Sequence, residues 1–147
     1  MSKNRTMQPD QLAATEPKIS SPLQVTFLIV PRFNMSTLVT MIEPMRIANY
    51  LSPQPIYAWD IVSFDGTEIT ASNGLFLPAH LPTERNRRGE MIFVMGSWGA
   101  ESYTNKTVFS WIRRQAREGA RICAVELGTY LVARSGLLSG RKVTTHW

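Results

Sequence analysis

The apolar residues of this 147-residue chain fall into short solid runs separated by stretches of mixed character. Val25–Val30 (VTFLIV), Met91–Met95 (MIFVM) and Arg121–Val125 (RICAV) show no alternation of apolar and polar positions. Runs of this kind, bounded by residues such as Pro31 and Gly96, predict strands buried on both faces. Tyr57–Phe64 (YAWDIVSF) is rich in β-branched and aromatic residues and stops at Asp65-Gly66, which predicts a further strand. Ile69–Leu77, interrupted by Asn73-Gly74, reads as a short hairpin.

Between the strands the period changes. Leu38, Ile42 and Met45 recur at helical spacing within Ser36–Leu51, although Pro44 predicts a break or kink there. Thr107–Glu118 is amphipathic. Val108, Trp111, Ile112, Gln115 and Ala116 share one side, Arg113, Arg114 and Arg117 lie off it as a solvated face, and Gly119 closes the helix. A helix over Gly128–Arg134 stops at Ser135-Gly136, and after the Ser139-Gly140 turn the chain re-enters an extended run, Arg141–Thr145. Residues 78–90, with the charged cluster Glu84–Arg88, read as loop. Residues 1–22 are polar without an apolar period and read as a flexible tail, leaving 23–147 for one domain. Solid strands alternating with helices predict an α/β fold: a doubly wound, mostly parallel sheet with helices on both faces.

The net charge of +5 permits contact with nucleic acid or an acidic membrane surface. No recognition-helix pattern accompanies it, so charge alone supports only weak, salt-sensitive association. Cys123 is the single cysteine, which excludes an internal disulfide and a cysteine-based zinc site and suits a reducing compartment. His80 and His146 are the only histidines and share no metal-ligand spacing, so no metal is expected. Phosphate-loop and dinucleotide signatures are absent, and no cofactor is expected. No apolar run approaches the ~18 residues of a membrane helix, and Met1–Asp10 lacks the apolar core of a secretory signal. A soluble cytoplasmic protein without membrane contact is the expectation.

In open α/β sheets ligands bind beyond the carboxyl ends of the strands. Three such ends draw attention: Pro31–Met35, Gly96–Gly99 and Val125–Gly128. In Ala124-Val125-Glu126-Leu127-Gly128 a strand gives way to a helix through a single residue, with small residues two before and two after Glu126. This is the pattern of a nucleophile elbow, a sharp turn that presents one side chain to a pocket. Glu126 at a helix amino end sits where the dipole favours negative charge. A carboxylate there favours a cationic ligand such as a guanidinium or, beside an aromatic ring, a quaternary ammonium. The plainer reading is that Glu126 caps its own helix or pairs with a local arginine.

The segment AVELGTYLVARSGLLSGRKVTTHW (residues 124–147), with its Leu131–Gly140 helix end and Thr144-Thr145-His146-Trp147, resembles the ThiJ/PfpI branch of class I glutamine-amidotransferase-like proteins. More closely it is similar to the amino-terminal domain of GlxA-type regulators of the AraC/XylS family. Glu43-Pro44-Met45-Arg46-Ile47-Ala48-Asn49 resembles a helix of that family and accounts for the interior proline. The resemblance covers about residues 24–147.

Enzymes of the superfamily use a cysteine at the elbow, a histidine further on and usually a carboxylate at the start of the first helix. On that pattern the elbow is Glu126, the histidine is His146 and the helix-start acid falls near Thr37. Cys123 lies three residues upstream, inside the strand, where it is expected buried and inert. The resemblance therefore implies a domain without catalytic residues that senses a ligand through Glu126, Leu127, His146 and the loop Gly96, Ser97 and Trp98. In catalytic relatives that loop helps form an oxyanion hole; here it reads equally as a loop wall. His146 reads equally as a packed strand-end histidine. Glu43 and Arg46 are expected to pair with each other or to join a dimer surface. The implied partners are a small cationic amino acid or quaternary amine (arginine, glycine betaine and carnitine are effectors of such regulators) and a second copy of the chain. DNA is reached only through a carboxy-terminal domain missing from this sequence. Family domains of this type continue for several more elements beyond Trp147, so the resemblance implies a truncated domain. A small hydrolase, deglycase or amidase, and a degenerate remnant, are the alternatives.

Overall fold

In a computed structural model of the protein, residues 21–83 and 89–146 are described. The cluster Glu84–Arg88, Trp147 and all but the last two residues of the tail expected over 1–22 lie outside them. The strands are β1 (Leu23–Ile29), β2 (Tyr57–Ser63), β3 (Ile69–Thr70), β4 (Phe76–Leu77), β5 (Leu81–Pro82), β6 (Met91–Gly96) and β7 (Arg121–Glu126). The helices are α1 (Met35–Leu51), α2 (Lys106–Arg117) and α3 (Gly128–Arg134), and a 3-10 turn spans Ala100–Ser102. Five strands form one parallel sheet in the order β5-β2-β1-β6-β7, and β3 and β4 form a separate antiparallel hairpin. The doubly wound architecture read from the apolar runs is the one observed.

The central strand explains why those runs are solid. In β1, Val25, Phe27 and Ile29 point into a core shared with Leu38, Met41 and Ile42 of α1. Leu28, together with Val30 just beyond the strand, points the other way, into a core shared with Val108, Trp111 and Ile112 of α2 and Leu131 and Val132 of α3. Helices cover both faces, so both sets of positions are withdrawn from water and mostly apolar, with Thr26 the buried polar exception. Phe27 and Leu28 are fully buried, each contributing roughly 1.5–3 kcal/mol of transfer free energy. Phe27 also stacks on Phe93 of β6, with centroids 5.3 Å apart.

α1 starts at Asn34, whose Oδ1 accepts from the amide of Thr37 (3.2 Å), and it runs unbroken through Pro44. The expected break is absent because Thr40 and Pro44 both lie on the exposed side of α1. The Thr40 carbonyl that a proline at 44 cannot bond therefore faces water. Asn49, the last residue of the Glu43–Asn49 motif, fastens the other end. Its Oδ1 accepts from the amides of Ile56 (2.8 Å) and Tyr57 (2.9 Å), and its Nδ2 donates to the Tyr57 carbonyl (2.8 Å). One side chain thus sets the chain reversal from α1 into β2.

Three expectations are corrected. Residues 78–90 are not all loop: β5 pairs with β2 through Val62↔Leu81 and Ser63↔Pro82. Proline is tolerated because β5 is an edge strand and the flanking amides of His80 and Thr83 donate to Ile61 (2.7 Å) and Ser63 (2.9 Å). RICAV is not fully buried: β7 is the opposite edge, and its Ile122, Cys123 and Val125 are only half-buried. Arg141–Thr145 joins no strand and is exposed, held where Thr129 Oγ1 donates to the Thr144 carbonyl and Thr145 Oγ1 to the Glu126 carbonyl (both 3.3 Å).

Asn49→Ala removes an acceptor from two backbone amides and a donor from a carbonyl in a half-buried turn. It is expected to lower the unfolding free energy by about 2–3 kcal/mol in a urea titration, where substitution of the exposed Glu68 changes it by less than about 0.5 kcal/mol.

Candidate functional site

After β1 the chain passes through α1 to β2 on one side, and it returns to β6 on the other. The strand order thus reverses between β1 and β6, and the carboxyl ends of those two strands and of β7 open the crevice where such sheets bind ligands. The residues delivered there are Arg32–Asn34 after β1, Gly96–Gly99 after β6 and Glu126–Gly128 after β7.

The turn after β7 is an elbow in geometry as well as in pattern. Glu126 has φ 51, a left-handed conformation uncommon for a residue with a side chain. The Leu127 amide donates to the Gly96 carbonyl (3.1 Å), and α3 begins at once. A β-carbon on Gly128 would lie 2.0 Å from the Val94 carbonyl oxygen, and one on Gly96 would lie 2.8 Å from the Gly128 nitrogen. The small residues that let the turn close are therefore Gly128 and Gly96. Ala124, named from the sequence for this role, is exposed and takes no part in that approach.

The Glu126 side chain turns toward the start of α1. Its Oε1 accepts from Asn34 Nδ2 (2.8 Å) and Thr37 Oγ1 (2.8 Å). Asn34 is also the helix cap, with Oδ1 accepting from the Thr37 amide and from Ser36 Oγ (2.7 Å). The amide orientation is therefore fixed by its donors on one side and the carboxylate on the other. Among the described residues Glu126 forms no ion pair with an arginine, and α3 has no side-chain cap bond. Thr37, the position to which the family's helix-start acid maps, touches the elbow residue directly. Cys123 stays inside β7, opposite Phe93. Burial pushes its thiol up from the ordinary range, more than nearby Arg121 draws it down, which disfavours the thiolate.

In front of the elbow lies an open cleft of about 540 Å³, lined by Arg32, Trp98, Gly99, Glu101, Ser102, Leu127 and Tyr130. Trp98 is 65% exposed, and the Arg32 guanidinium carbon stands 5.8 Å from its ring centroid. Arg32 is left-handed (φ 66), with its amide donating to the Thr70 carbonyl of the hairpin (2.8 Å). Glu101 Oε2 accepts from the Gly99 amide (3.1 Å). Arg134 of α3 donates to the carbonyls of Glu101 and Tyr103, stapling this wall to the helix behind it.

Of the residues expected at the site, Trp98 and Leu127 are on the cleft wall. Glu126 lies behind it, Gly96 is in the elbow contact, and Ser97 is buried with its carbonyl accepting from the Ala100 amide. His146 is exposed, next to Thr145, and does not line the cleft. Arg32, Glu101, Tyr130 and Asn34 were not singled out. The first three carry no local motif, whereas Asn34 could have been found as a cap residue directly before a helical period.

The sequence model of the DJ-1/PfpI family matches residues 25–147. The chain is 32% identical over 131 residues to the HTH-type transcriptional regulator GbdR of Pseudomonas aeruginosa, covering 89% of this chain and 36% of the regulator. It is 28% identical over 129 residues to the HTH-type transcriptional regulator GlxA of Rhizobium meliloti, covering 84% of this chain and 39% of that protein. The chain thus spans little more than a third of the length of these relatives. An AraC family transcriptional regulator from Pseudomonas putida superposes with a TM-score of 0.68 at 20% identity, over 82% of this chain and 64% of the other, which speaks to the fold.

Gly128→Ala drives a β-carbon into a backbone oxygen that no side-chain rotation can clear. It is expected to cost at least about 3 kcal/mol, seen as a lowered melting temperature or loss of soluble protein. Gly136→Ala, with nothing within 4 Å of the new carbon, shows only the penalty of its positive φ.

Proposed function

The chain belongs to the DJ-1/PfpI family, and from that premise we propose that it is the non-catalytic, ligand-sensing and dimerising domain of an AraC-type transcriptional regulator of the cytoplasm. One observation carries the non-catalytic part. The elbow holds a carboxylate that accepts two hydrogen bonds from the start of α1, where a catalytic relative needs a thiolate beside an acid. The side chain that would activate a nucleophile is replaced by the Thr37 hydroxyl, and the nearest thiol is withdrawn into β7. DNA contact belongs to a segment outside this chain, as the HTH-type names of the relatives suggest.

The ligand we assign is a small cationic amino acid or quaternary amine. Trp98 and Tyr130 offer aromatic faces to the cleft, and Glu101 adds a carboxylate at its wall. Cations are attracted to such faces most strongly where water is partly excluded. Glu126 supports the site from behind by fixing the turn that carries Leu127, with Gly96 and Ser97 beside that turn, and His146 is assigned to the site on the resemblance alone. Dimerisation is supported by α1, whose exposed Val39, Ile47, Tyr50 and Leu51 form an apolar stripe beside the Glu43–Arg46 pair. Both signs of charge on one stripe suit a twofold contact, in which each copy presents the same patch. No described helix is long and apolar enough to cross a membrane.

A saturating cationic ligand, tested with arginine and glycine betaine, is expected to raise the melting temperature by roughly 5–10 °C. Trp98→Ala should abolish the rise. Absence of any rise with both compounds would remove the ligand assignment, and hydrolysis of a model ester that disappears in Glu126→Ala would restore an enzyme. In sedimentation, Tyr50→Glu is expected to give a monomer under conditions where the unaltered chain is a dimer.

A further inference from the structure

The cleft carries charges of both signs, Arg32 and Glu101, together with two aromatic side chains. The Arg32 guanidinium lies over the Trp98 ring, at the face where a ligand cation would stack. Among the described residues no carboxylate forms an ion pair with Arg32. Its backbone is fixed by the bond from its amide to Thr70, so the long side chain pivots from a rigid root while the head remains exposed. Two cations cannot share one aromatic face without repulsion. A bare cation entering the cleft must expel Arg32 into solvent with nothing in exchange. A cation that brings its own carboxylate supplies the displaced guanidinium with the fork-to-fork partner that it lacks.

We propose that Arg32 is the specificity-determining residue of the cleft: it holds the cation seat on Trp98 and yields it only to a ligand whose cation is accompanied by an anionic group. The inference rests on the cleft being the ligand site. It goes further in assigning to one residue the rejection of simple amines and the recognition of the ligand's anionic end. The strained backbone at Arg32 fits this role, because the left-handed residue lies in the turn after β1 and its side chain reaches the cleft wall over Trp98.

The test is calorimetric titration of the full chain with glycine betaine, choline and acetate. Betaine and choline share the trimethylammonium cation, and only betaine also carries a carboxylate. The unaltered chain is expected to bind betaine at least about tenfold more tightly than choline, with acetate weakest. In Arg32→Gln, betaine loses about tenfold and choline gains several-fold, so the two converge. Arg32→Gly, which suits the positive φ, should behave in the same way and guards against a folding artefact. Equal affinity for betaine and choline in the unaltered chain, or parallel changes in both ligands on losing Arg32, overturns the role of Arg32 while leaving the cation site standing. Failure of both ligands to bind any of the three proteins overturns the cation site, and the role of Arg32 with it.

Discussion

Gly128 rests against the carbonyl of Val94 so closely that only hydrogen fits between them, and Gly96 closes on the Gly128 amide from the neighbouring strand. This backbone contact couples β6, β7 and α3 at one point, and much of the site's geometry follows from it. α3 can start one residue after β7 only because the strands approach so tightly. Glu126 is then forced left-handed, its carbonyl accepting from Thr129 and Thr145 and its carboxylate from Asn34 and Thr37. Leu127 is set on the cleft wall and Trp98 is carried out on the loop that Gly96 begins. A protein interior packed as densely as a molecular crystal has no slack to absorb a methyl group there. The elbow therefore keeps its shape with a carboxylate at its apex.

The same contact gives the elbow side chain a new task. With a thiol, the turn would present a reactive atom to a substrate. With Glu126 it presents two oxygens, and Oε1 is taken by Asn34 and Thr37. A hydrogen-bonded carboxylate between a helix cap and a strand end is a fastening. Forward of it, in the cleft, an indole, a phenol, a guanidinium and a carboxylate face solvent together. Groups of this kind are suited to reading charge and shape.

Much of this was legible in the sequence. β1 and β6 were readable because helices cover both faces of the sheet centre and leave almost no polar position, Thr26 apart, to confuse the period. α2 was readable because its apolar side repeats at helical spacing and Gly119 ends it; the Asn105 cap that starts it emerges from the structure. Pro44 misled because the cost of a helical proline depends on which way the freed carbonyl faces, and that is a property of the fold. β5 was hidden because it is short, contains a proline and exists only by virtue of pairing with β2. RICAV was misjudged because an apolar run does not say whether it lies at the centre or the rim of a sheet. At the site, Glu126 and Trp98 announced themselves by their place after a strand. Arg32 and Tyr130 did not, because they meet only when strand order brings distant segments together.

α1 is held at both ends, by Asn34 to the elbow and by Asn49 to the turn before β2. A rod pinned in this way moves as a whole, and its outer face carries the exposed apolar stripe. If a change at the elbow shifts the rod, the cleft and the stripe are linked states of one body. Linkage then runs in both directions: whatever factor occupancy of the cleft applies to association through the stripe, association applies to occupancy. Were the proposed ligand and dimer both to form, such a molecule would report its own concentration along with that of its ligand, and its dose–response curve would steepen or shift with the amount of protein present.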